Sequence, residues 1–194
     1  GYAYDFNQTL GFNLAFATTK KTGRQPYSMS FAFNNANEVP IPLDHRTNEF
    51  AAGLEYTREQ GMLRLGWESS FFNQNIASIT WDNPLRLTDT VPFDPNGYSN
   101  GNGPATGRMA MWPSNSLNAV SLTGLYKMPG RTTINGLVSF TAMNQNDALI
   151  PWTTNSFLAN PTVLAEFPGL AALPRPTAEA KVHGVNALFN MTSR

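Results

Sequence analysis

The stretch YAYDFNQTLGFNLAFA, residues Tyr2–Ala17, decides the fold class of this chain. Its even-numbered positions carry mostly aromatic and aliphatic side chains, whereas the odd-numbered positions between them carry small or polar ones. Because successive side chains of a β-strand point to opposite faces of the sheet, this alternation predicts a strand with one apolar and one polar face. Read as one strand, it is longer than the roughly 5–6 residues usual in soluble proteins and the about 9–11 that cross a membrane.

The same alternation recurs six more times, which predicts seven strands. The apolar positions of the later strands are Tyr27, Met29, Phe31 and Phe33; Phe50, Ala52, Leu54 and Tyr56; Leu63, Leu65, Trp67 and Phe71; Val120, Leu122, Gly124 and Tyr126; Ile134, Gly136, Val138, Phe140 and Ala142; and Val185, Ala187 and Phe189. The strand that carries Leu63, Leu65, Trp67 and Phe71 could extend as far as Trp81.

Short and long connections are predicted to alternate along the chain. Tight turns are expected near 20–24, 58–61 and 127–131, and long rim loops rich in Pro, Asn and Gly near 35–46, 82–114 and 146–177. In an antiparallel meander every second connection lies on the same side, so the short turns share one rim and the long loops the other. Outer-membrane barrels have this asymmetry.

We therefore predict an all-β fold: an antiparallel up-and-down meander of about seven or eight strands, belonging to a large transmembrane outer-membrane β-barrel. Bacterial barrels have even strand numbers from about 8 upward, and lipid cannot satisfy an open sheet edge. Residues 1–194 are accordingly expected to be a single segment of a longer barrel. A soluble β-sandwich with the apolar face as its core, for example a carbohydrate-binding domain, remains the alternative.

The composition agrees with a membrane strand pattern. Charged residues make up 13% of the 194 residues, against roughly 25% in soluble domains, and the mean hydropathy is −0.29. The 13 basic and 13 acidic residues balance, so bulk charge gives no indication of a nucleic-acid partner. The chain contains no cysteine, which excludes disulfides, thiol catalysis and covalent c-type haem attachment in this chain.

Seven stretches, in order, resemble the MtrB/PioB family of outer-membrane barrels that are associated with decahaem cytochromes. They are PIPLDHRTNEF from Pro40, GWESSFFN from Gly66, WDNP from Trp81, NGYSNGNGPATGRMAM from Asn96, LYKMPGRTT from Leu125, LIPW from Leu149 and ALFN from Ala187. The resemblance covers the chain from about residue 40 to its end. Some family members also carry a CxxC pair near the N-terminus, and this chain has none.

The resemblance implies a barrel in the bacterial outer membrane that holds and insulates a periplasmic multihaem c-type cytochrome, often together with an extracellular cytochrome. Such a sheath serves extracellular electron transfer, and its haem belongs to the partner, so no cofactor is expected in this chain. The alternative function is a porin for passive diffusion of small solutes. We expect no enzyme activity, because Ser69 or Ser70 with a distant His183 gives no nucleophile–base pair and two lone histidines give no metal site.

Two sets of residues are candidates for contacts. Glu49, Glu55, Arg64, Glu68 and Asn135 are predicted to face the barrel lumen, where the charged four form either a cross-strand ion-pair ladder or docking contacts for the cytochrome. Tyr27, Tyr56, Trp67 and Tyr126 are predicted to lie at the membrane interfaces, and Tyr27, Tyr56 and Tyr126 at the rim with the short turns. The Asn- and Gly-rich stretch 94–107 lacks the acidic spacing of a calcium loop, which favours a solvated rim loop over a weak calcium site.

Overall fold

The computed structural model describes residues 1–31, 35–82, 106–151, 161–166, 173 and 175–193. In chain order the elements are β1 (Tyr2–Asp5), β2 (Leu10–Phe31), β3 (Asn35–Arg58), β4 (Gly61–Gln74), β5 (Ser78–Asp82), β6 (Thr106–Ala110), β7 (Asn115–Met128), β8 (Thr132–Gln145), α1 (Pro161–Glu166) and β9 (Ala180–Ser193).

Seven of the strands form one curled antiparallel sheet in the order β1-β2-β3-β4-β7-β8-β9. Strands β5 and β6 form a separate two-stranded sheet, which interrupts the meander between β4 and β7. Neighbours in the large sheet are otherwise neighbours in the chain. The predicted all-β antiparallel meander is confirmed, although β4 ends at Gln74 and Trp81 belongs to β5.

The deciding stretch Tyr2–Ala17 forms two strands instead of the single strand predicted. The chain reverses at residues 6–9, so that Tyr2 lies opposite Leu14 and Tyr4 lies opposite Phe12. This register places even-numbered residues opposite even-numbered residues. The reversal therefore leaves all apolar side chains of the hairpin strands on one face, which is why the alternation gives no sign of the turn.

Asn7 stabilises this reversal. Its Oδ1 accepts hydrogen bonds from Thr9 N (2.8 Å), Thr9 Oγ1 (2.7 Å) and Leu10 N (2.9 Å). Side-chain amides that bond to the backbone two or three residues further on are common stabilisers of turns.

Replacing this acceptor should weaken the first hairpin. We expect Asn7→Ala to lower the free energy of unfolding by about 1 kcal/mol, because an ordinary hydrogen bond contributes about that much net. Asn7→Asp keeps an oxygen at the same position and should retain most of the stability. Urea unfolding of the full-length protein measures both, and equal losses in the two variants would contradict this function of the amide oxygen.

The tight turn predicted near Lys20–Gly23 is wrong. Strand β2 continues through it, and its 22 residues pair without interruption with β3, from Leu10–Tyr56 to Phe31–Asn35. Gly23 has φ +141°, a value that L side chains rarely adopt, and it lies opposite Leu43 within the ladder. The segment 35–46, predicted as a long loop, is consequently part of strand β3.

The β2–β3 pair extends beyond the rest of the sheet as a two-stranded ribbon. Strand β4 pairs with β3 only from His45 onward, so residues 35–44 have β2 as their one neighbour in the large sheet. Pro40 and Pro42 lie in this ribbon, and Pro40 is opposite Pro26. Proline lacks the N–H of a ladder bond and is tolerated at sheet edges, so the ribbon can be a strand despite a loop-like composition.

The connections at the two ends of the sheet differ in length. Residues 6–9, 59–60 and 129–131 form three short turns at one end, here called the short-turn end. The opposite end, the long-connection end, carries the β2–β3 ribbon, the β5–β6 hairpin and the β8–β9 connection with α1. Residues 83–105, 152–160, 167–172 and 174 of the predicted long loops lie outside the described residues.

A small hydrophobic core lies at the long-connection end. Met29 and Ile41 of the ribbon are buried together with Ile79 of β5 and Met111, which follows β6. The ribbon and the hairpin thus cover each other's apolar side chains. In the described parts of the chain no helix is both long and apolar enough to cross a membrane.

Candidate functional site

One face of the seven-stranded sheet is apolar and exposed; we call it the apolar face. Its middle row crosses five adjacent strands as Phe12, Leu54, Leu65, Leu122 and Val138, each opposite the next. Four of these side chains keep between 42% and 48% of their surface exposed, because no described residue packs over them. A contiguous exposed apolar surface of this kind marks a contact with lipid or with another protein.

The apolar face is a band with polar ends. Along β7 the apolar band runs from Tyr126 to Asn118. This is a distance of eight residues, or about 27 Å at roughly 3.4 Å per residue. At a strand tilt of about 40° this corresponds to a height of about 20 Å, comparable to the roughly 25 Å apolar band of outer-membrane barrels. Polar residues follow toward the long-connection end, where Thr18 donates a hydrogen bond to Asn48 (2.8 Å).

The four candidate interface aromatics occupy different positions. Tyr56 and Tyr126 lie on the apolar face next to the short turns, as predicted for that rim. Trp67 lies opposite Ala52 and Val120. This row is next to the Asn118 row, where the apolar band ends toward the long-connection end. The predicted position of Tyr27 near the short turns is wrong, because Tyr27 lies in the ribbon at the long-connection end. Because β2 is continuous, Tyr27 also lies on the face of Asn13, opposite to the apolar face.

The other face of the sheet carries small and polar residues; we call it the polar face. One row of it crosses all seven strands without a side chain larger than asparagine, and we call it the small-residue row. It consists of Ala3, Asn13, Gly53, Gly66, Ser121, Ser139 and Asn186.

Neighbouring side chains lie flat across the glycines of this row. The Asn13 amide occupies the space that a Cβ on Gly53 would need, and Ser121 Oγ lies 2.8 Å from the Cβ position of Gly66. The centre of the polar face is therefore flat, with no large side chain that projects from it. Sequence reasoning recognised the small side chains of single strands, but not that they align into one row.

The predicted lumen-facing residues share the polar face. Glu55 lies directly opposite Arg64 in the row on the short-turn side of the small-residue row, whereas Glu68 and Glu49 occupy the next two rows on its other side. Asn135 lies on the same face, opposite Leu125 and Asn190. The structure thus brings the five candidates onto one surface.

The ion-pair ladder predicted for the four charged candidates is not formed. The one carboxylate–ammonium contact within 4.0 Å in the described part of the chain joins Lys20 and Asp44 at 3.8 Å. Glu55 instead accepts a hydrogen bond from Thr57 Oγ1 (3.2 Å). Glu55 and Arg64 line a depression of about 660 Å³ near the short-turn end together with Asp5, a residue that the sequence analysis did not single out.

The remaining polar candidates do not assemble a reactive site. Ser69 donates to Asn118 Oδ1 (2.8 Å) and to the Leu117 carbonyl (3.2 Å), so its hydroxyl links β4 to β7. His183 of β9 stacks on Phe140 and lies three strands away from Ser69 of β4. Within the described residues no three His, Asp or Glu side chains gather as metal ligands. Residues 94–105 of the calcium-loop candidate lie outside them.

Comparison with known proteins gives one match. A family model described as "Putative outer membrane beta-barrel porin, MtrB/PioB" matches residues 1–194. No curated protein and no solved structure gives a significant match.

Proposed function

Since this chain belongs to the MtrB/PioB family of outer-membrane β-barrel porins, we propose that it forms barrel wall around a multihaem c-type cytochrome. In this proposal the apolar face contacts the lipid of the bacterial outer membrane, and the polar face surrounds the cytochrome. The barrel then insulates a chain of haems that carries electrons across the membrane. The chain itself performs no catalysis and holds no cofactor.

The small-residue row is the observation that carries this proposal. A lumen that encloses a folded protein must let the partner approach the wall, and side chains no larger than asparagine along a whole row permit that approach. Barrels of about 16–22 strands have room for a channel or a plug. A wall of this kind favours a protein in the lumen over the passage of small solutes alone.

The haem must come from the partner. Covalent c-type attachment needs cysteines, and the chain has none. The carboxylates of Glu49, Glu55 and Glu68, which form no ion pair with a described residue, would with Arg64 supply polar contacts to the cytochrome around the flat row. An extracellular cytochrome would meet the complex at the long-connection end, because extracellular loops of outer-membrane barrels are the longer ones.

Co-purification tests the proposal. We expect the tagged full-length protein, extracted from its host membrane in mild detergent, to retain a protein that stains for covalent haem and absorbs at the Soret band. An unrelated outer-membrane barrel treated in the same way is the control. Absence of haem protein from repeated preparations, together with solute conductance by the native complex in a planar bilayer, would instead support the diffusion porin.

A further inference from the structure

A groove interrupts the apolar face at the short-turn end, and we call it the girdle groove. Its volume is about 540 Å³, and its lining includes Tyr56, Arg58, Leu63, Gly124, Gly136 and Phe189. Apart from Arg58 and Gln60 at the end next to the turn, its lining consists of apolar or aromatic side chains and glycines. The groove is therefore polar at the end next to the turn and apolar along the rest of its length.

A pair of glycines creates the floor of the groove. Gly124 of β7 lies directly opposite Gly136 of β8, so neither strand puts a side chain on the apolar face at this point. Leu63 lies opposite Gly124 on one side, and Phe189 lies opposite Gly136 on the other, with its ring 2.9 Å from the position of a Gly136 Cβ. The Phe189 ring thus covers Gly136, and the open part of the floor lies at Gly124, between Leu63 and this ring.

A cation marks the polar end of the groove. The Arg58 guanidinium lies 5.4 Å from the centre of the Tyr56 ring, and no carboxylate of the described residues comes within 4.0 Å of it. Arginine suits phosphate oxygens because its planar donors can bind two of them together. A guanidinium at one end and a narrow apolar floor beyond it complement an anionic headgroup joined to an acyl chain.

We propose that the girdle groove binds a phospholipid, with its phosphate at Arg58 and one acyl chain along Gly124, between Leu63 and the Phe189 ring. The Arg58 end fits the headgroup level because interfacial aromatic residues, Tyr56 and Tyr126, lie beside it. The inference rests on the lipid contact of the apolar face and not on the cytochrome.

Native mass spectrometry of the full-length protein with added phosphatidylglycerol tests the site. We expect Arg58→Gln to reduce the affinity for this lipid about fivefold, because one basic residue near a membrane surface contributes about that factor. Gly124→Leu should abolish the bound lipid by filling the floor. Two control variants should bind the lipid as the unchanged protein does. Arg131→Gln changes a turn residue outside the groove, and Gly184→Leu changes a residue on the polar face that has only Thr141 Cβ near it, at 3.9 Å.

A smaller variant covers the case that Gly124→Leu does not fold. A Cβ at Gly124 would meet only Leu63 Cδ1 at 3.5 Å and a backbone oxygen at 3.9 Å, so Gly124→Ala is accommodated and should bind the lipid more weakly. Equal lipid retention in all variants, or equal retention of an uncharged diacylglycerol, would overturn the site. Haem retention should stay unchanged in the Arg58→Gln, Gly124→Ala and Arg131→Gln variants, which separates this result from a failure of the proposed sheath.

Discussion

If the proposed sheath holds a cytochrome, Ser121→Trp is expected to release it from the barrel, reducing the retained haem protein about ten- to hundredfold. Ser121 lies near the centre of the small-residue row, between Gly66 and Ser139. An indole at this point would occupy the space into which the partner fits. Forcing extra volume into a packed contact costs about 1–3 kcal/mol, which corresponds to a loss of this order in affinity.

The neighbouring residue supplies a matched control. Val120 precedes Ser121 on the same strand but lies on the apolar face, where 45% of its surface is exposed. Val120→Trp adds a similar bulk toward lipid, and we expect haem retention to be unchanged. The ratio of haem absorbance to purified barrel measures both variants, and a heat-modified shift in gel mobility shows that each has folded. If both variants retain the cytochrome equally, the polar face does not surround it.

Leu122→Arg is expected to give the largest loss of stability. Leu122 lies in the middle row of the apolar face, between Leu65 and Val138. An arginine on the lipid face of an outer-membrane barrel costs about 2–4 kcal/mol near the bilayer midplane and much less near its interfaces. The folded fraction in lipid vesicles, titrated with denaturant, should therefore shift strongly toward the unfolded form.

Ala119→Arg is the control for this charge. Ala119 lies three residues away on the same strand, but on the polar face and directly opposite Glu68. Its guanidinium would remain in the lumen beside a carboxylate, so we expect a change in stability of less than about 1 kcal/mol. A larger loss for Ala119→Arg than for Leu122→Arg would reverse the assignment of the two faces.

The sequence correctly predicts the two faces across most of the sheet, because alternation is a local property of each strand. Leu54, Leu65 and Val138 lie on one face as their spacing indicates, and Glu55, Arg64 and Asn135 lie on the other. The prediction that Tyr27 and Met29 lie on the apolar face is wrong, because it assumes a turn at Lys20–Gly23. Strand β2 continues through that segment, so these odd-numbered residues lie on the face of Asn13.

Turns inside a long alternating stretch are the least visible feature. The reversal at residues 6–9 leaves the apolar residues at even-numbered positions on both sides of the turn, and Asn7 is the one local sign of the turn. Residues 35–44 show the reverse case. Their two prolines suggest a loop, although the segment pairs with β2 as a strand. In both places the pairing partner, more than the local composition, determines the conformation.

By itself, then, the sequence of this protein determines the strand type, the apolar and polar sides of most strands and the family. Only the tertiary structure decides which residues become neighbours across strands: the small-residue row, the unpaired Glu55 and Arg64, and the glycine pair Gly124–Gly136. The physical reason is that a strand's side-chain alternation is fixed within one segment. The register between strands depends on hydrogen bonds and packing between residues that are distant in the chain.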